Sequence, residues 1–225
     1  GHMGECTAVK FYNSDLMVTG GTDQALRVTH VFSDRASWEL SQGKLGRRGR
    51  DAMVGRETLK LPQPRCIETN PTRNYQWGSI VSLHEASALL CSWRMDTRAF
   101  ENKLSGIQTG MHVARCVRMS GCGNFAVVGY SSGHVTIINL QNKSLRQLTR
   151  GSGSNKQLVP AHEKSVESVE VAQGNTLVVS SGLDGVMSIW SLLNGKHCKS
   201  VTLGSSSTPV TLSCLHEPSS LLIAV

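Results

Sequence analysis

Short runs of alternating apolar and polar residues make up most of this chain, and no long stretch repeats its apolar residues at helical spacing. Alternation of period two marks a strand with one face buried, because successive side chains point to opposite sides of a sheet. The clearest series begins at residue 165. Residues 165–171 (SVESVEV) alternate, Gly174 and Asn175 turn the chain, and residues 176–180 form a β-rich run short enough for a strand buried on both faces. Leu183, Asp184 and Gly185 make a hairpin turn, where Asp-Gly accepts the positive φ of a tight primed turn. Residues 186–190 follow, and after Asn194-Gly195 residues 197–203 complete a four-stranded meander.

The same layout fits earlier segments. Strands are expected over residues 6–12, 16–21 and 25–31, with Trp38 in a fourth. A second unit has a first strand near 65–68, with Gln76 and Trp77 beginning its second strand. Residues 79–84, 88–95 and 97–104 supply the rest. A third runs through 113–119, 124–130, 134–140 and 145–148. Residues 209–216 and 220–225 restart the pattern.

Within the best unit, His162 precedes the first strand, Ser-Ser-Gly-Leu-Asp-Gly spans the middle turn, and Trp190 closes the third strand. This resembles a WD40 blade, with Ala161 where the repeat usually has Gly and Ser191 where it usually has Asp. The resemblance implies that His162, Ser180, Asp184 and Trp190 form a hydrogen-bonded structural tetrad. Physical chemistry agrees: Asp184 can accept from the imidazole and from turn amides, and a buried indole N–H needs an acceptor. A hydrolase triad is the competing reading of Ser, His and Asp, but neither a Gly-x-Ser-x-Gly elbow nor a following helix supports it.

Thr29, Trp93, Ile138 and Trp190 occupy the closing-Trp place of successive units, 64, 45 and 52 residues apart. The WD40 period is about 40–45 residues, and the excess falls on a basic insert and a Gly/Ser stretch. Thr19 and Asp23 match Ser180 and Asp184, while Ser132 takes the Asp place of the third unit and His112 its blade-start place. The expected fold is all-β, a WD40 β-propeller of about four blades plus a partial fifth, belonging to a seven-bladed ring. The blades are bounded at about 4–43, 65–105, 112–150, 160–204 and, in part, 208–225. Residues 1–3, Gly-His-Met, read as a tag remnant.

The insert, residues 43–65, carries Lys44, Arg47, Arg48, Arg50, Arg56 and Lys60 and is poor in strand periodicity; a short helix is expected over 51–60. With a net charge of +7, these six residues are candidates for contact with RNA phosphate or an acidic partner, since guanidinium forks pair well with phosphate. The plainer reading is a solvated loop. No aromatic residue is interleaved there, so base stacking is not implied.

Other chemistry is weak. Gly121-Cys122-Gly123-Asn124-Phe125-Ala126 has the letters of a dinucleotide fingerprint, but a strand-like run follows where a helix is required, so a hairpin turn is expected. Gly43-Lys44 lacks the earlier Gly of a phosphate-binding loop. The histidines do not cluster at metal spacing, so no metal or cofactor is expected. The seven cysteines include no Cys-x-x-Cys pair and lie mostly in expected strands, which reads as buried, reduced thiols of an intracellular protein. Neither a membrane-spanning run nor a secretory signal is found.

Residues 120–133 (SGCGNFAVVGYSSG), 139–142 (NLQN), 161–166 (AHEKSV) and 182–185 (GLDG) resemble, in order, the small nucleolar RNA-associated protein 21 family. The Cys91-Ser92-Trp93 strand and the basic segment before Leu61-Pro62 also fall in place. The resemblance is firm from about 116 to 203, while the N-terminal third diverges. It implies the second of two propellers in a nucleolar, non-catalytic scaffold of the UTP-B subcomplex of the small-subunit processome, acting in pre-ribosomal RNA processing and 18S rRNA maturation. Its implied partners are other processome proteins, with possible contact to pre-rRNA or small nucleolar RNA, and no membrane or small-molecule substrate. The alternative is a WD40 peptide-binding adaptor of another pathway, such as a ubiquitin-ligase adaptor or a histone reader.

Overall fold

The computed structural model describes residues 1–51, 53–55, 57–105, 112–150, 160–172, 174–203, 210, 213–216 and 221–224. Of residues 34–36, 46, 48, 57, 105, 213–216 and 221–224 it describes the backbone alone. The chain divides into two compact units, Gly1–Leu104 and Ser105–Val225.

Unit 1 holds two antiparallel sheets. The first is β1 (Cys6–Phe11), β2 (Leu16–Gly21), β3 (Leu26–His30) and β4 (Ser33–Glu39), paired in chain order. Next come a short helix α1 (Leu45–Asp51) and a 3₁₀ turn at Glu57–Leu59. The second sheet is β5 (Pro64–Thr69), β6 (Ile80–His84), β7 (Leu89–Arg94) and β8 (Ala99–Ser105). Unit 2 repeats the plan with β9 (Ala114–Met119), β10 (Phe125–Tyr130), β11 (Val135–Asn139) and β12 (Leu145–Leu148). Its second sheet is β13 (Val166–Ala172), β14 (Leu177–Gly182), β15 (Val186–Ser191) and β16 (His197–Thr202), and a hairpin of β17 (Ser213–His216) and β18 (Leu221–Ala224) follows. Four four-stranded antiparallel meanders are four WD40 blades, and the fold is all-β with a propeller architecture.

Alternation along the strands builds the cores. Val18, Val28, Ile80 and Trp93 are fully buried in unit 1 beside Leu26 and Leu40. Val127, Val135, Val166, Val178 and Trp190 do the same in unit 2. Each such side chain contributes roughly 1.5–3 kcal/mol by leaving water. Within each unit the first strands of neighbouring blades lie side by side, β1 by β5 and β9 by β13. Lys10 Nζ reaches Glu68 Oε1 at 2.6 Å, and Arg118 Nε reaches Glu170 Oε2 at 3.0 Å. Register places all four at one equivalent strand position, basic in the first blade of each unit and acidic in the second.

Several expectations change. The helix of the insert is Leu45–Asp51, not 51–60, because buried Leu45 anchors it. Gln76 and Trp77 follow a 3₁₀ turn at Pro71–Arg73 instead of starting a strand. Of the cysteines, Cys91 is buried, but Cys6, at the start of β1, and Cys198, on the fully exposed β16, are exposed; both are free thiols. Gly121–Asn124 is a hairpin turn, closed by the Gly123 N–H donating to Ser120 O at 2.9 Å. The Gly/Ser stretch 151–159 lies outside the described residues.

Candidate functional site

The four residues singled out in the last blade come together as a chain of hydrogen bonds. Trp190 Nε1–H donates to Ser180 Oγ at 2.9 Å, and Ser180 Oγ stands 2.8 Å from His162 Nε2. His162 Nδ1 is 3.1 Å from each carboxylate oxygen of Asp184. A carboxylate only accepts, so Nδ1 carries the proton, Nε2 accepts from the serine hydroxyl, and no polar side-chain atom of the four is left without a partner. Asp184 also takes the amides of Glu163 at 3.1 Å and Val186 at 3.2 Å, tying the blade's entry to its hairpin. Burial holds the His162 imidazole below 6.5 despite the carboxylate. For Asp184, burial pushes upward, but the His162 partner and the two amides outweigh it and the carboxyl ends below its usual value.

This connectivity is that of a Ser–His–Asp triad, yet it is not a nucleophilic centre. Ser180 is 0 % exposed and His162 1 %. The hydroxyl proton is committed to His162 and a lone pair to the indole, so a substrate carbonyl has no approach to Oγ.

The other blades are variations on this brace. In the second blade Trp93 Nε1–H donates to Ser82 Oγ at 2.8 Å, and Ser82 Oγ lies 2.9 Å from His84 Nε2. His84 Nδ1 then lies 2.6 Å from the carbonyl of Pro62, which fills the role of the missing aspartate. The histidine comes from the end of β6, two residues after the serine, and not from the blade entry. Burial lowers its pKa as it does that of His162. In the first blade His2, inside the Gly-His-Met stretch set aside from the sequence, takes the entry position. Its Nδ1 is 2.9 Å from Asp23 Oδ1 and its Nε2 2.9 Å from Thr19 Oγ1, with Thr29 in the tryptophan place. In the third blade Val128 and Ile138 occupy the serine and tryptophan positions and are fully buried, an apolar solution needing no polar partner. There Ser132 Oγ meets His134 Nδ1 at 2.9 Å, with the His112 ring 5.6 Å from that of His134.

The basic insert is tied at both ends and exposed between. Leu45 and Leu61 are buried, and the Leu61 amide donates to Gln42 Oε1 at 2.8 Å. Lys44 precedes α1; Arg47 and Arg50 lie on it, and all three are exposed. Arg47 Nε stands 3.9 Å from Asp51 Oδ2, one turn on, with both side chains 71 % exposed. That pair holds the arginine weakly and leaves it available. Lys60 is half-buried. The side chain of Arg48 and the whole of Arg56 lie outside the described residues. No group of three or more His, Cys, Asp or Glu able to hold a metal occurs among the described residues, and no described helix is long and apolar enough to cross a membrane.

The chain is similar to U3 small nucleolar RNA-associated protein 21 homolog of Schizosaccharomyces pombe, at 29 % identity over 100 % of this chain and 24 % of that protein. It is 26 % identical to WD repeat-containing protein 36 of Homo sapiens, over 99 % of the chain and 24 % of the relative. Against U3 small nucleolar RNA-associated protein 21 of Saccharomyces cerevisiae the identity is 26 % over 92 % of the chain and 21 % of the relative. The chain thus spans about a quarter of the length of the curated relatives it matches. The family model of the WDR36/Utp21 second beta-propeller domain matches residues 7–225, and with its four meanders and its recurring buried brace the chain belongs to that family.

Proposed function

We propose that this domain is a non-catalytic interaction scaffold in ribosome biogenesis. It serves within the small-subunit processome of the nucleolus, and supports pre-ribosomal RNA processing and 18S rRNA maturation. Membership of the WDR36/Utp21 second-propeller family carries the reading, because two of the similar proteins are named for association with the U3 small nucleolar RNA. The saturated brace adds to it: the Ser–His–Asp set of the last full blade ties that blade's entry to its hairpin and uses its donors and acceptors in doing so. Partners in this reading are other UTP-B and processome proteins. Lys44, Arg47, Arg48, Arg50, Arg56 and Lys60 form a basic contact for RNA phosphate or an acidic protein surface, supported by the exposure of Lys44, Arg47 and Arg50.

A quantitative pull-down from nucleolar extract tests this, comparing the full-length parent protein with one lacking residues 7–225. Processome subunits recovered by the first and depleted with the second are the expected result. Failure of the intact parent to recover them overturns the proposal.

A further inference from the structure

In unit 2, two arginines cross from the outer side of one blade to the next. Arg146, on β12, donates through Nη1 to the backbone carbonyls of Leu192 and Leu193 after β15. Arg150, two residues past β12, donates through Nη2 to Ser188 Oγ of β15 at 3.1 Å. Ser188 Oγ lies 3.0 Å from Ser200 Oγ of β16, and Ser200 Oγ lies 2.7 Å from His197 Nε2. The His197 ring is set edge-on to Trp190 with centroids 4.9 Å apart, which fixes where it points.

Ser188 is fully buried and braces Arg150 from beneath, while the guanidinium, the Ser200 hydroxyl and the His197 imidazole come together at the exposed strand β16. The charge balance there is unfinished. Neither Arg146 nor Arg150 has a carboxylate within ion-pair distance among the described residues, and the Nε of Arg150 is buried without an acceptor. A partly buried guanidinium whose side-chain partner among the described residues is a neutral hydroxyl lacks the compensation that buried charge demands. Its field reaches the neighbours: burial first, and then the Arg150 charge, hold His197 below 6.5.

The site also borders an open edge. β16 is the last strand of its sheet, and all six of its residues are exposed. Its unpaired N–H and C=O groups offer an extended peptide a backbone partner. RNA has no use for such an edge, and its backbone needs a run of cations where this site offers one discrete anion subsite.

We propose that Arg150, Ser200 and His197 bind the phosphate of a phosphoserine or phosphothreonine on a partner protein segment lying along β16. The guanidinium supplies charge-assisted donors, and the Ser200 hydroxyl and the imidazole turn toward the remaining oxygens. Only the identity of the partner rests on the interaction-scaffold reading; the anion subsite stands on its own geometry.

Inorganic phosphate titrated into the intact chain, with the His197 ring followed by NMR, tests the subsite. A saturable shift is expected, with the His197 pKa moving up as an anion arrives. Arg150→Gln is expected to weaken phosphate roughly ten-fold or more. Ser200→Ala, on an exposed strand where folding is not at stake, weakens it by a smaller factor. Phosphoserine peptides are then competed against their unphosphorylated counterparts and against single-stranded RNA. Displacement by the phosphopeptides alone supports the proposal. It is overturned by a non-saturable titration, by wild-type affinity in both variants, or by displacement with RNA but not phosphopeptide. Failure of the pull-down with a normal phosphate titration would sink the processome reading and leave the site; the reverse outcome would sink the site alone.

Discussion

Replacing Ser180 with alanine removes one oxygen on which two buried groups depend. The Trp190 N–H loses its acceptor and His162 Nε2 its donor, in a place where Trp190 and Ser180 are 0 % exposed and His162 1 %. The imidazole cannot escape by moving its proton to Nε2, because Nδ1 must stay protonated to serve Asp184 and alanine offers no acceptor. Leaving a buried polar group unpaired costs about 1–3 kcal/mol, so two cost about 2–6 kcal/mol, and about 3 kcal/mol is the expected loss. Asp184→Ala strands one buried N–H and two amides nearer to water, so it is expected at about 1–3 kcal/mol. Urea denaturation followed by far-UV circular dichroism measures both. The third blade supplies the control: Val128 and Ile138 fill the same two positions without polar groups. Ser180→Val combined with Trp190→Ile should therefore cost less than the sum of the single changes, since an unpaired donor leaves together with its acceptor. A Ser180→Ala variant within about 0.5 kcal/mol of wild type would refute the hydrogen-bond chain as a brace, because that is the range of an ordinary surface change.

Other outcomes follow from the same geometry. Burial holds His84 and His162 below 6.5 in the folded chain. The unfolded chain therefore takes up protons first: the stability these residues give is complete above pH 6.5 and is lost as pH falls from there through their lowered folded values. The urea midpoint should be lower at about pH 5.5 than at about pH 7.5, and an equal or higher midpoint would contradict neutral, buried imidazoles. Gly133 sits at φ +80, where an added Cβ would run into the carbonyl of His162, so Gly133→Ala should lower the melting temperature sharply; an unchanged melting curve would count against the turn. Arg47, Arg48 and Arg50 changed together to Glu should weaken salt-dependent binding to RNA or an acidic partner while circular dichroism stays unchanged, and unaltered binding would remove the insert as a contact.

The last blade was the most legible part of the chain because its brace uses the usual residues at the usual places. Asp184-Gly185 demands a primed turn, and His162 and Trp190 flank it at the spacing of the repeat. The second blade's brace was not legible, since His84 reaches Ser82 from two residues along the same strand and a backbone carbonyl replaces the aspartate. No spacing rule marks a carbonyl. His2 escaped for a different reason: its position among tag-like residues removed it from the blade it joins. The helix at Leu45–Asp51 runs against propensity, with Gly46 and Gly49 inside it, and forms because Leu45 is buried. The site around Arg150 is a meeting of residues from different blades, which a strand pattern does not contain.

The proposed role of this propeller in small-subunit assembly is tested most directly by the level of 18S rRNA and its precursors. Cells depleted of their own copy would express the full-length parent protein with or without residues 7–225. The complete protein is expected to restore 18S rRNA, while the truncated one lets precursors accumulate with the large-subunit rRNA unaffected. Normal 18S maturation without residues 7–225 would contradict that role.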